Sequence, residues 1–336
     1  QMLNASPAFC ARTLRRRPQR ARRAVMATAT TDAELSEALY LFDTAGYVIL
    51  RGVLSPDEVA ACNKAVDARA DEMLERSGEL RLSGSDALAG DGKTGRKDLG
   101  GLLGWEGDGG RVFRSLLAHE RVAPFLHEVV GAGYRLDHHP FLIAQEQGAE
   151  GFFFHGGAVN EAGNWDHALQ YHCVNQQIRT SLLAMTVQLA PVGPGDGGFV
   201  VVPGSHKANF PCPPSVAAYE RHRDYTVQPV MEPGDLLLFT EAATHGTLPW
   251  KAEHQRRSAI YRFAPCTYAY GRSYNPRWPD EYYADLTDAE RAVLEPPYHP
   301  RLDRPQVERD GRTVTVESRS GVKKAFDKEV FKTQYF

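Results

Sequence analysis

The chain is poor in cysteine and has no long apolar run. Its five cysteines (Cys10, Cys62, Cys173, Cys212 and Cys266) are odd in number, scattered and without a CxxC pair. That excludes a zinc ribbon and argues against a disulfide framework of the secreted kind. No stretch approaches 18 consecutive apolar residues, so a membrane-spanning helix is not expected. Acidic residues are missing from residues 1–31, which carry Arg12, Arg15, Arg16, Arg17, Arg20, Arg22 and Arg23. Past that segment, 32 basic residues face 42 acidic ones. An acidic body is a poor match for a phosphate backbone, so nucleic acid is disfavoured as a partner.

The Arg-rich, acid-free residues 1–30 read as a disordered basic leader of the organelle transit-peptide type, directing the protein to a chloroplast or mitochondrion. The plainer alternative is a basic tail, or an untranslated leader if Met26 rather than Met2 is the start, with a cytoplasmic protein behind it. What remains is ample. The 336 residues are 42% hydrophobic and 24% charged, the profile of a globular protein that buries a large core without needing a disulfide or metal to fold.

The ordered part, residues 31–336, is expected to form one domain. Thr31-x-x-Glu34 is a capping box, followed by Leu35, Leu39 and Phe42 at helical spacing and by Gly46 as a stop. Tyr47–Leu50 is a short strand. Ser55-Pro56-Asp57-Glu58 opens a second helix, expected to run to about Gly78. Residues 79–110, rich in glycine and charge, read as a loop insertion. Its Gly92-Lys93-Thr94 mimics the end of a phosphate-binding loop, but Ala87 stands where the first glycine belongs. Residues 111–131 read as a further helix. After Pro140 come short strands with Gly and Pro turns between them: 179–189, 199–202, 236–239 and 258–263. That pattern indicates a mainly β sandwich or barrel behind N-terminal helices. The tail from Tyr274 is polar and irregular.

Two of the twelve histidines stand out. His155 ends the aromatic run Phe152-Phe153-Phe154 and opens into Gly156-Gly157. His245 lies just past the strand 236–239, and Arg256 and Arg257 follow eleven and twelve residues later. Two histidines from different strands plus an arginine make a plausible site for a metal and an anionic co-substrate, because a guanidinium grips a carboxylate bidentately.

Five segments in order carry a resemblance: 46–55 (GYVILRGVLS), 197–207 (GGFVVVPGSHK), 233–239 (PGDLLLF), Thr244-His245-Gly246, and Arg256-Arg257-Ser258-Ala259. Together they resemble the phytanoyl-CoA dioxygenase family of Fe(II)/2-oxoglutarate-dependent oxygenases. The resemblance implies a double-stranded β-helix, a cupin-like jelly roll, with helices packed on one sheet. It implies Fe(II), 2-oxoglutarate and O2 as cofactors, His155 and His245 as metal ligands, and Arg256 (Arg257 as backup) on the far carboxylate of 2-oxoglutarate. Gln145, by strand position, is a further candidate for 2-oxoglutarate.

One position departs from the family. Its metal motif is His-x-Asp, whereas here it reads His155-Gly156-Gly157, and glycine has no side chain to ligate iron. Three readings follow. Glu161 or Asp166 from the following loop, or a water, completes the site of an oxygenase that hydroxylates a C–H bond of a small organic metabolite. Chloride fills the gap at Gly157, as in the related halogenases. Or the metal is lost and the jelly roll is a binding protein.

Overall fold

The computed structural model describes residues 31–271, 277–300 and 302–333; the basic leader lies outside them. Both capping boxes form. Thr31 opens α1 (Asp32–Ala45) and Ser55 opens α2 (Pro56–Asp67), each side chain accepting from the backbone N–H of the glutamate three residues on. Gly46 ends α1 in the left-handed region and leads into β1 (Tyr47–Leu50).

The second helix stops at Asp67, well before Gly78, because the chain turns through a short 3-10 segment into β2 (Leu74–Glu75). β2 pairs with β3 (Lys97–Leu99), and that pairing takes the chain out of the helix. The insertion 79–110 is therefore not a bare loop. It holds 3-10 turns and β3, and through β3 it joins the main sheet.

In place of one helix over 111–131 there are two, α3 (Gly107–Ser115) and α4 (Ala123–Val129). Pro124, in the first turn of α4, has no N–H to continue an earlier helix. Gly109 lets α3 approach α2 closely: a Cβ there would sit 2.5 Å from the Ala61 carbonyl oxygen.

The strands continue with β4 (Arg135–Gln145), β5 (Phe152–His155), β6 (Tyr171–Val174), β7 (Gln177–Thr180), β8 (Leu183–Gln188) and β9 (Gly198–Val201). After the short α5 (Pro214–Ala217) come β10 (Leu236–Thr240), β11 (His245–Leu248) and β12 (Arg256–Ala264). The tail is less irregular than its sequence suggests. It forms α6 (Asp288–Val293), the hairpin β13 (Pro305–Val307) and β14 (Val314–Val316), and α7 (Gly321–Phe331), and it buries Trp278, Tyr282 and Val293 in the core.

The main sheet has the antiparallel order β1-β10-β8-β12-β4-β3-β2, and a three-stranded sheet has the order β5-β11-β9. This is the mainly β jelly roll expected from the sequence. One face of the main sheet packs on the N-terminal helices, where Phe42 meets Phe125 edge to face at 5.2 Å. The other face, with the small sheet, walls a cavity of about 350 Å³. Strand alternation assigns the sides. Along β12, Arg256, Ile260 and Arg262 face the cavity, whereas Ala259, Tyr261 and Phe263 join the helix-side core.

Candidate active site

His155 closes β5 and His245 opens β11, and the two are register partners across the small sheet. Their rings lie 4.3 Å apart, centroid to centroid. Each imidazole is fixed from behind by a backbone carbonyl. His155 Nδ1 is 3.1 Å from the Phe153 oxygen and His245 Nδ1 is 2.8 Å from the Ala243 oxygen. A carbonyl only accepts, so Nδ1 carries the proton in both rings and each Nε2 presents a lone pair. Burial lowers both pKa values; for His245, burial and the neighbouring His155 hold it at about 4. Both rings are therefore neutral at pH 7, the form that binds a metal.

A carboxylate completes the cluster, from a position the sequence reading passed over. Glu241 stands four residues before His245, and one ligand atom each from His155, Glu241 and His245 lies within 4.8 Å of the others. Its two oxygens are divided: Oε1 accepts from Arg262 Nε at 2.6 Å, and Oε2 lies 3.5 Å from His245 Nε2. Burial works to raise the Glu241 carboxyl, but Arg262 and His245 outweigh it and hold it down at about 2. The donor set fits a divalent ion that takes two imidazoles and one carboxylate. The readable signal was an acid directly after an apolar strand and one helical turn's spacing before the second histidine.

The expected substitutes lie elsewhere. Glu161 is exposed, and Asp166 caps its own turn, accepting from the Ala168 N–H at 2.8 Å. Neither belongs to the cluster found among the described residues. Gly157 is not an aspartate position merely trimmed of its side chain. Its φ is +98°, a conformation that L residues avoid, and its N–H is 3.3 Å from the Glu241 carbonyl oxygen.

Arg256 lies in the same cavity and is 4% exposed. Its Nη1 donates to Gln145 Oε1 at 2.6 Å, while its buried Nε has no partner. No carboxylate pairs with it among the described residues, and burial together with nearby Arg96 pushes its pKa down to about 9. Such a group calls for an anion. Gln145 is fully committed: its Nε2 donates to the Glu150 carbonyl at 2.7 Å, so it positions Arg256. Arg257 points to the opposite face, where it binds Asn63, Gln255 and Asp67. Of the aromatic residues, Phe141, Phe152, Phe199 and Phe239 line the cavity. Trp250 is buried outside it, and Trp165 is largely exposed.

A jelly roll whose cavity is lined by two histidines, with a carboxylate set against them, and by a buried arginine without a counter-ion is the arrangement of non-haem iron, 2-oxoglutarate-dependent enzymes. The phytanoyl-CoA dioxygenase (PhyH) family model matches residues 42–258, and the chain belongs to that family. No curated protein matches it in sequence.

Solved structures share the fold. HygX from Streptomyces hygroscopicus, with nickel, 2-oxoglutarate and hygromycin B bound, is 22% identical with a TM-score of 0.54, over 69% of this chain and 88% of that one. Its iron-bound form is also 22% identical, with a TM-score of 0.55 over 72% and 89%. SnoN, an epimerase from nogalamycin biosynthesis, is 20% identical with a TM-score of 0.50 over 72% and 87%.

Proposed function

We propose that the protein is an Fe(II)/2-oxoglutarate-dependent oxygenase that hydroxylates a C–H bond of a small organic molecule. The observation that carries this reading is the clustering of Glu241 with His155 and His245, the two histidines lining the cavity that also holds Arg256. Those three residues would hold the iron, which would supply oxygen activation coupled to decarboxylation of 2-oxoglutarate. The chain does the rest. His155 and His245 offer preset Nε2 atoms, and Glu241 offers Oε2 while Arg262 keeps its other oxygen in place. Arg256, oriented by Gln145, takes the far carboxylate of 2-oxoglutarate. Phe239, with its ring centroid 4.6 Å from that of His245, and Phe199, packed on Phe239 and stacked 5.9 Å from His245, dry the metal's surroundings. A small-molecule substrate suits a cavity of this size, and HygX, of like fold, holds hygromycin B.

Glu241 also bears on the choice between oxygenation and halogenation. A halide at Gly157 serves a site that lacks a carboxylate, and here a carboxylate reaches the two histidines. The test is anaerobic addition of Fe(II) and 2-oxoglutarate, with and without chloride, while recording the visible charge-transfer band of the chelate. The proposal expects a band indifferent to chloride and lost in His245→Ala. A band that moves with chloride favours halogenation, and no band at all favours a binding protein.

A further inference from the structure

The cavity carries more positive charge than the proposed chemistry uses. Arg76, Arg96, Arg256 and Arg262 all line it. Two carboxylates engage them: Glu241 on Arg262, and Asp98 shared between Arg76 and Arg96. On the reading above, a divalent iron and the 2-oxoglutarate dianion cancel each other, so an excess of two positive charges remains.

One of those two charges sits on a single arm of the fold, where two arginines share one carboxylate. Arg76 directly follows β2 and Arg96 directly precedes β3, and the Arg76 N–H donates to the Arg96 carbonyl at 2.8 Å. Asp98 locks both guanidiniums, accepting from Arg76 Nε at 2.7 Å and from Arg96 at 2.8 and 3.2 Å. One carboxylate thus holds two cations side by side without neutralising both. The terminal nitrogens of Arg76 meet no protein acceptor among the described residues, although its side chain is only 26% exposed. Nearby acids are engaged elsewhere: Glu146 with Lys97, Glu150 with Arg81, and Glu75 with the Gly95 N–H. Apolar side chains adjoin the cluster, with Phe141 under the Arg96 guanidinium and Phe152, Ile143 and Ile260 on the same cavity wall, which also carries His138, Thr186 and Thr247.

We propose that the Arg76–Asp98–Arg96 cluster is a second anion site, which selects a substrate with an apolar body and a carboxylate, sulfate or phosphate end. It presents that molecule to the metal while Arg256 holds 2-oxoglutarate. Paired guanidiniums suit an oxyanion of this kind. This inference rests on the oxygenase reading.

Inorganic sulfate is the probe. The full chain, loaded with Ni(II) and saturating 2-oxoglutarate so that Arg256 is occupied, is titrated with sulfate by calorimetry. The expected result is one saturable site whose affinity falls by about tenfold or more in the Arg76→Gln/Arg96→Gln variant, from loss of charge-assisted bonds. Arg76→Lys should retain part of it. The 2-oxoglutarate affinity of the double variant should stay within about threefold of the wild type, since another arginine serves that ligand. No sulfate site in the wild type overturns the proposal, as does equal sulfate affinity in the double variant. A loss of 2-oxoglutarate affinity in step with sulfate also overturns it, because the pair would then serve the co-substrate. If the wild type takes up neither nickel nor 2-oxoglutarate, the oxygenase reading fails by itself. The same sulfate titration of the metal-free chain and the double variant then decides the anion site.

Discussion

The two faces of the main sheet are made by the same strands and built on opposite rules. Toward the helices, β8, β10 and β12 present Met185, Val187, Leu236, Leu238, Tyr261 and Phe263, all buried in one apolar core. Toward the small sheet, the alternate residues include Thr186, Arg256 and Arg262, polar or charged in a partly dry cavity. The helix face gains stability from burial, while the cavity face gives some of it up. An unpaired buried guanidinium such as Arg256 is costly in the absence of a ligand. Stability and function are thus divided by strand parity, one residue apart.

Substitutions can break that division or sharpen it. The largest functional effect belongs to His155→Ala and His245→Ala: 2-oxoglutarate conversion to succinate should fall to background while thermal unfolding of the metal-free protein barely moves. A wild-type rate in either variant would remove the metal assignment. The largest stability effect belongs to the other face. Phe42→Ala, which empties a fully buried ring site, should cost roughly 3–5 kcal/mol in denaturant unfolding and leave activity per folded molecule unchanged.

Arg256→Met joins the two sides. It should raise the KM for 2-oxoglutarate by about tenfold or more, yet raise the Tm of the ligand-free protein, since an unpaired buried charge is removed. A lower Tm would show that the Gln145 contact outweighs the desolvation. Gly157→Asp restores the family's motif but not its backbone. It should destabilise by about 1–3 kcal/mol without tightening metal binding, and a gain in iron affinity would show that the loop can adapt. The smallest effect is Ser55→Ala, a lost helix cap worth about 1 kcal/mol with no effect at the site.

What the sequence disclosed was local or strictly periodic. Capping boxes at Thr31 and Ser55, the stop at Gly46 and the strands expected at 236–239 and 258–263 all rest on neighbours a few residues away, and each is found, the strands slightly longer at Leu236–Thr240 and Arg256–Ala264. His155, His245 and Arg256 were visible through their spacing and the family likeness, and the fold gathers them in one cavity. Glu241 was not visible as a partner of His155. The search for a missing carboxylate followed the chain onward from Gly157, whereas the fold supplies one from just after β10, 86 residues after His155 in the chain. The insertion and the tail were underread for a related reason. Leu74, Leu99, Trp278 and Val307 are too sparse to show a period, and their elements form only by pairing with or packing on distant ones.

The bond between Glu241 and Arg262 bears on the life of the protein before it meets iron. Clusters of ligands gathered without their ion often repel one another and hold a fold open. Here the one anionic ligand already has a cationic partner, and the two imidazoles are neutral. The proposed metal site therefore implies that folding need not wait for the ion. On the proposed assignment, Arg262 is the group with which an incoming ion would have to share Glu241.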